Sequence, residues 1–163
     1  MSVEDFREAG RTKNIELALS ACSDDVVVHS PLTDTTSFRG QAEVRQLFDA
    51  VYERFERIDY HDVIGGGDDW VLFGTTSVGG QQVDETLRVR LDEHGKIAEL
   101  TLYMRPLPAL AAVMSALGPA LARRNGRSVL TVAALRLMAA PLVAGTRFGD
   151  RTGVRMALPR SRD

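Results

Sequence analysis

The most regular pattern in the chain is an apolar stripe at steps of three and four: Val44, Leu47, Phe48, Val51, Tyr52, Phe55 and Ile58. That spacing follows the 3.6-residue turn and predicts an amphipathic helix over about 41–58. Glu43 near its start and Arg54 and Arg57 near its end complement the helix dipole. The period then changes to two. Val83, Glu85, Leu87, Val89 and Leu91 alternate with Asp84, Thr86, Arg88 and Arg90, as in a strand with one buried face. Further strands are predicted over 60–64, 70–78 and 97–105, punctuated by Gly65-Gly66-Gly67, Gly79-Gly80 and the turn Asp92-Glu93-His94-Gly95. A four-residue hairpin loop at that turn sets Leu91 opposite Lys96, Arg88 opposite Glu99, Leu87 opposite Leu100 and Glu85 opposite Leu102. The Arg88–Glu99 pair would support this register by about 0.2–1 kcal/mol. One face is then apolar except for Glu85.

Ahead of the long helix, Ser2 and Asp5 signal a short helix, and Ile15, Leu17 and Leu19 a second. The run over 26–29 reads as a buried strand ended by Pro31, and 33–37 as a turn-rich loop. Beyond Pro106 the texture is Ala/Leu-rich. Leu107, Leu110, Val113, Met114, Leu117 and Leu121 form another helical stripe, with an interruption expected at Gly118-Pro119 and a stop at Asn125-Gly126. Ser128 caps a second helix ending near Gly145. Three regions follow: a body over 1–106, a helical extension over 107–145, and a basic tail over 146–163, expected to be flexible.

Composition narrows the class. The 163 residues are 44% hydrophobic and 26% charged, ordinary for one soluble domain with an appendage. A single cysteine, Cys22, excludes an internal disulfide framework and a cysteine-cluster zinc site. A formal charge of −2 excludes a polycation built for nucleic acid, and no nucleic-acid partner is expected. The charge is unevenly placed. Nine arginines and only two aspartates, Asp150 and Asp163, lie beyond Pro106. Such a segment can lie on the acidic body of its own chain, or meet an anionic membrane or another acidic partner. Packing on the body or on a dimer mate is the expectation, ahead of a membrane. The opening MSVEDFREAG lacks the order of a secretory signal, so a cytoplasmic location is expected. The most apolar stretch, 129–145, is broken by Arg136 and Pro141.

The order of elements resembles the nuclear transport factor 2-like superfamily over about residues 3–110. The segments that carry the likeness are SDDVVVHSPLTDTTSFRG, QAEVRQLFDAVYERF and LRVRLDEHGKIAELTLYMRPLPAL. Within the superfamily they are most similar to SnoaL-like and ketosteroid-isomerase-like proteins. The resemblance implies an α+β fold, a cone-shaped curved antiparallel sheet wrapped around helices, here with an extra C-terminal helical extension. It also implies an internal pocket for a small apolar or mixed-polarity molecule, and a homodimer formed through the outer sheet face. Cofactor-independent acid/base chemistry of an isomerase, cyclase or hydratase kind is one implication. The other reading is a non-catalytic module whose basic helical tail docks a protein partner.

The catalytic positions of the ketosteroid isomerases are not filled. Their general-base aspartate precedes the proline after the first strand, where this chain has Ser30 before Pro31. Their protonated aspartate falls at Leu87, and no tyrosine occurs before Tyr52. Serine does not take a proton from carbon unaided, and leucine donates nothing. The aspartate that limonene-epoxide-hydrolase-like chemistry places in the last strand is missing from 100–104.

By the same matching, Glu85, Leu87, Val89, Leu100, Leu102 and Met104 face the pocket, opposed by Phe48, Tyr52 and Phe55. Trp70 joins them on one strand phase, which Val71 and Phe73 leave open. Glu85 is the first catalytic candidate, since burial raises a carboxyl pKa toward neutrality. The competing reading puts it wet at the rim or paired with an arginine. His29, beside the family's base position, is the second candidate, against a plainer role bonding the following loop. Asp34 is a weaker acid and a turn former. His61-Asp62 lacks companions for a metal site, Gly65-Gly66-Gly67 opens no helix, and neither metal nor cofactor is expected.

Overall fold

The computed structural model describes residues 2–159; Arg160 and Arg162 of the basic tail lie outside the described residues. Two short helices, α1 (Ser2–Thr12) and α2 (Ile15–Ala21), lead into β1 (Cys22–His29) and a two-residue β2 (Phe38–Arg39). The long helix α3 (Gly40–Arg54) passes directly into β3 (Phe55–Gly66), followed by β4 (Asp69–Val78), β5 (Gln81–Leu91) and β6 (Ile97–Arg105). Helices α4 (Leu107–Arg124) and α5 (Val129–Phe148) follow. A π-helical turn over Gly149–Gly153 and a short α6 (Val154–Ala157) end the described chain.

The six strands form one curved open sheet in the order β2-β1-β6-β5-β4-β3. Neighbours are antiparallel except for β1, which runs parallel to β6. Register irregularities interrupt β1 and β3, the kind of feature that bends a strand locally. That face contributes Val26, Val28, Leu72, Val83, Leu87, Val89, Ile97 and Leu100 to the core. Val3 and Phe6 of α1 and Val44, Leu47 and Phe48 of α3 meet them inside the curve. Helix α4 adds Ala109, Val113, Leu117 and Ala120 and packs against α3, β4, β5 and β6. The extension is therefore part of the core at α4, while α5 lies along α4.

Several expectations are corrected. The helix predicted to Ile58 ends at Arg54, and Phe55 and Ile58 belong to β3. In a regular strand, residues three apart face opposite ways. An irregularity between Phe55 and Ile58 turns both inward, so a strand mimics the helical step. The hairpin register also differs. Asp92 accepts the backbone N–H groups of His94 (2.9 Å) and Lys96 (2.8 Å), and its own N–H donates to the Lys96 carbonyl at 2.8 Å. The loop is thus shorter by one residue, and Leu91 faces Ile97. A second one-residue shift between Arg90 and Leu91 sets Arg90 opposite Glu99, Leu87 opposite Leu102 and Glu85 opposite Met104. Two slips of one residue add to two, which restores the inward face. Glu99 now pairs with Arg90 (3.4 Å), and Arg88 reaches Asp69 (3.1 Å).

Helix α4 runs unbroken through Gly118-Pro119, with Pro119 buried in its interior. Ser128 caps α5 as expected, its side chain accepting from the Thr131 N–H at 3.2 Å, but the helix continues past Gly145 to Phe148. Beyond Gly145 the chain is helical as far as Ala157.

Candidate functional site

The register aligns four residues in one row across the inner face: Tyr60 on β3, Gly74 on β4, Glu85 on β5 and Met104 on β6. Glu85 is buried, and its Oε1 accepts a hydrogen bond from the Tyr60 hydroxyl at 3.3 Å. Gly74 makes this possible. A Cβ there would lie 2.6 Å from Tyr60 Cδ1 and 2.7 Å from the Asp59 carbonyl oxygen. With no side chain on the strand between them, the phenol ring lies across the row to reach the carboxyl. A second glycine faces the ring from α1, where a Cβ on Gly10 would lie 3.2 Å from Tyr60 Cε2. Arg7, one turn earlier on α1, donates from Nε (3.1 Å) and Nη2 (2.8 Å) to the Tyr60 carbonyl. Ring and backbone of Tyr60 are both held by that helix.

The electrostatics follow from burial. Loss of water pushes the Glu85 carboxyl up from its ordinary 4.5 to about 7, against the Tyr60 hydrogen bond, which favours the ionised form. Desolvation and the nearby Glu85 charge raise the Tyr60 hydroxyl well above its ordinary range, and Tyr52 shifts the same way mainly through burial. Glu85 is therefore neither the wet rim residue nor the arginine-paired one of the competing reading.

Around this dyad lies an apolar cavity of about 60 Å³. Phe48, Tyr52, Phe55, Leu87, Leu100, Leu102 and Met104 line it, together with Glu85. Val113 and Leu117 of α4 also line it. A water takes about 30 Å³ of liquid and a drug-sized ligand needs roughly 300–1,000 Å³, so the enclosed space is on the water scale.

Three predicted residues lie elsewhere. Val89 points inward but is packed in the core and does not line the cavity. Trp70 has the inward strand phase but lies away from the cavity, its Nε1 donating to the Gly67 carbonyl at 3.0 Å. His29 is half exposed, 3.4 Å from Glu99, and lines an open cleft of about 1190 Å³ outside the cone. The loop over 30–37 forms the other side of that cleft, with Asp34 on it. Ser30, Pro31, Leu32, Leu102 and Met104 border both spaces, so this wall is all that divides polar cleft from apolar cavity. Ser30, at the position of the family's base, has its Oγ occupied as acceptor for the Leu32 N–H at 3.2 Å. Among the described residues no group of three or more His, Cys, Asp and Glu converges as a metal site.

The sequence reading missed Tyr60 and Gly74. The available signals were the two-residue step from Ile58 to Tyr60 and an isolated glycine inside a strand pattern, which often marks close approach of another group.

This architecture has clear counterparts. The model of the SnoaL-like domain matches residues 3–100. The chain belongs to the SnoaL-like domain family. The match stops before α4, so both long C-terminal helices lie outside the SnoaL-like region. Among solved structures, an uncharacterized protein with a cystatin-like fold from Silicibacter pomeroyi has a TM-score of 0.67 at 23% identity, over 76% of this chain and 84% of that one. A steroid delta-isomerase from Pseudomonas aeruginosa has a TM-score of 0.64 at 22% identity, over 77% and 89%. The epoxide hydrolase/cyclase-like enzyme SalBIII has a TM-score of 0.56 at 12% identity, over 64% and 88%. These likenesses establish the cone fold. A comparison with curated proteins finds no match. SnoaL-like folds include isomerases and cyclases, and in this member the inward acid stands at Glu85, two positions before Leu87 on the same strand face.

Proposed function

We propose that this SnoaL-like protein binds a small apolar or mixed-polarity molecule at the inner face of its cone, and that Glu85 serves it as a general acid and base. The observation that carries the reading is a buried carboxyl with a tyrosine hydroxyl as its hydrogen-bond donor, in an otherwise apolar cavity. A leucine would pack there without the cost of burying an ionisable group. A carboxyl that titrates near 7 is present in both forms at neutral pH, so it can take a proton from one atom and return it to another. Isomerisation and cyclisation need that kind of transfer. Tyr60 holds the carboxyl in place and, as a neutral donor, can also meet an oxygen of the bound molecule.

Entry needs more room than the cavity of about 60 Å³ offers. The wall formed by Ser30, Pro31 and Leu32 is the shortest route, since the cleft lies directly outside it. His29 is assigned to the cleft, where it can contact a polar end of the incoming molecule. Outward, Tyr103 is exposed on the opposite sheet face, and pairing of two copies through that face is part of the proposal.

The test is exchange of the α-hydrogens of a small cyclic enone with deuterated water, followed by proton NMR. The protein should accelerate exchange, with a midpoint near neutral pH, and Glu85→Gln should abolish the acceleration. Equal rates for Glu85→Gln and the parent would assign the base elsewhere.

One observation favours a second reading, the non-catalytic module. Val113 and Leu117, from the helix that follows the last strand, are buried against the cavity and take up space inside the cone. On that reading the cavity stays shut, and apolar probes leave Tyr60 and Glu85 resonances unmoved at every concentration.

A further inference from the structure

We propose that the outer face of α5 docks flat on a bilayer surface carrying anionic lipids. This goes beyond the pocket chemistry and does not depend on it.

Helix α5 is apolar on two opposite sides. One stripe, with Val132 and Ala139 buried and Leu135 and Val143 half-buried, packs on α4. The opposite stripe carries Leu130, Leu137, Met138 and Phe148, which are 82%, 76%, 71% and 68% exposed. Leu130 and Leu137 are seven residues apart and Phe148 eleven further on, so they stack along one side for the whole helix. A helix apolar all round belongs either inside a protein or in contact with lipid, and a patch of this length is rarely left to water.

Charge selects the occupant. No acid occurs between Pro106 and Gly149, and Asp150 is the one acid among described residues beyond it. Arg127, Arg136, Arg151 and Arg155 are exposed and make no ion pair among the described residues. A second copy docking through this face would bring two such cationic sets within a Debye length of each other. An anionic lipid surface attracts them instead, each arginine near the headgroups adding to binding.

Geometry selects the depth. By length and composition the stretch Val129–Ala157 is long and apolar enough to cross a membrane. Crossing would bury Arg136 and Arg147 in the hydrocarbon and strip Val132 and Ala139 from α4. Lying in the plane keeps both. Arg147 is half-buried in a groove beside Glu53 and Glu56 of the body, whereas Arg136 is exposed on the border between the two stripes and therefore serves the surface. From there a guanidinium reaches the headgroups while Leu137 and Phe148 enter the acyl region.

The experiment is flotation of the full chain with phosphatidylcholine vesicles, with and without phosphatidylglycerol, at low and high salt. The parent should float with the phosphatidylglycerol vesicles, bind pure phosphatidylcholine at least about tenfold more weakly, and release as salt rises. Leu130→Glu with Leu137→Glu should lose binding by about tenfold or more, and unchanged circular dichroism and melting would show that the fold survives. Arg136→Gln with Arg151→Gln should weaken binding only to the anionic vesicles. Failure of the parent to float overturns the proposal, as does equal flotation of the Leu130→Glu, Leu137→Glu variant. A dimer in light scattering that this variant splits, without vesicle binding, gives the face to a second copy and overturns it as well.

Discussion

Glu85 makes a prediction that needs no substrate. Its folded pKa of about 7 lies above its ordinary 4.5, so between those pH values the native state holds a proton that the unfolded chain has released. Stability from this group is therefore full below about pH 4.5 and is lost as pH rises through about 7. The shift corresponds to roughly 3 kcal/mol. Glu85→Gln should remove that decline, leaving a variant less pH-sensitive than the parent in urea unfolding between about pH 5 and pH 8. Tyr60→Phe acts in the opposite sense. It deletes the donor that favours the carboxylate, so the Glu85 pKa should climb further, as a carbon-13 NMR titration would read directly. Gly74→Ala tests the row itself. The added methyl meets a backbone carbonyl as well as the ring, so it cannot be absorbed by a rotamer change alone. A loss of roughly 1–3 kcal/mol is expected in denaturant unfolding, with the Tyr60 contact to Glu85 broken.

At the scale of elements, the inward face of the hairpin was legible although its register was not. Alternation in 83–91 and 97–105 reports which side of a strand faces the core. It does not report which residue of the next strand lies opposite. The register is set by the Asp92 side chain capping its own turn and by a one-residue irregularity beside it. Neither leaves a mark in the hydrophobic pattern, and together they cancel in facing. The end of α3 was hidden for a related reason, an irregular strand start imitating a helical step. Tyr60 escaped notice because its partner glycine is silent in any pattern of apolar residues. Helix α4 is the element whose effect on the cavity can be measured alone. Leu117→Ala should cost roughly 2–5 kcal/mol if the surroundings relax little. The enlarged cavity should then take up xenon or benzene, as apolar voids do, visible as xenon-dependent NMR shifts.

For the whole molecule, the ion pairs between basic extension and acidic body gather, among the described residues, at Glu53. Arg123 and Arg124 converge on Glu53 of α3, at 3.8 and 2.5 Å. These pairs are partly exposed and screened, so Glu53→Gln should cost no more than about 1 kcal/mol. The burial of Ala109, Val113, Leu117 and Ala120 matters far more. Ending the chain after Gly126 should leave a cooperatively melting body, whereas ending it before Leu107 should expose the cone's core and abolish a sharp thermal transition. Calorimetry of the two truncations separates these outcomes. The charge contrast along the chain was legible from composition, but its division into one docked helix and one with a bare apolar side depends on which stripe met the core first.

The parallel pairing of β1 with β6 has a consequence in time. Strand β1 lies between β2 and β6, and Val27, Val28 and His29 have Glu99, Leu100 and Thr101 as their partners. About seventy residues separate the two sides of that seam, a closure of high contact order. While the chain is being synthesised, the inner edge of β1 waits through the making of a helix and four strands before its neighbour exists. The hairpins β3–β4 and β4–β5 are local and can form first. The cone should therefore close last at the seam beside His29, so β1 amides should gain hydrogen-exchange protection later than those of β4 when refolding is followed by pulse labelling.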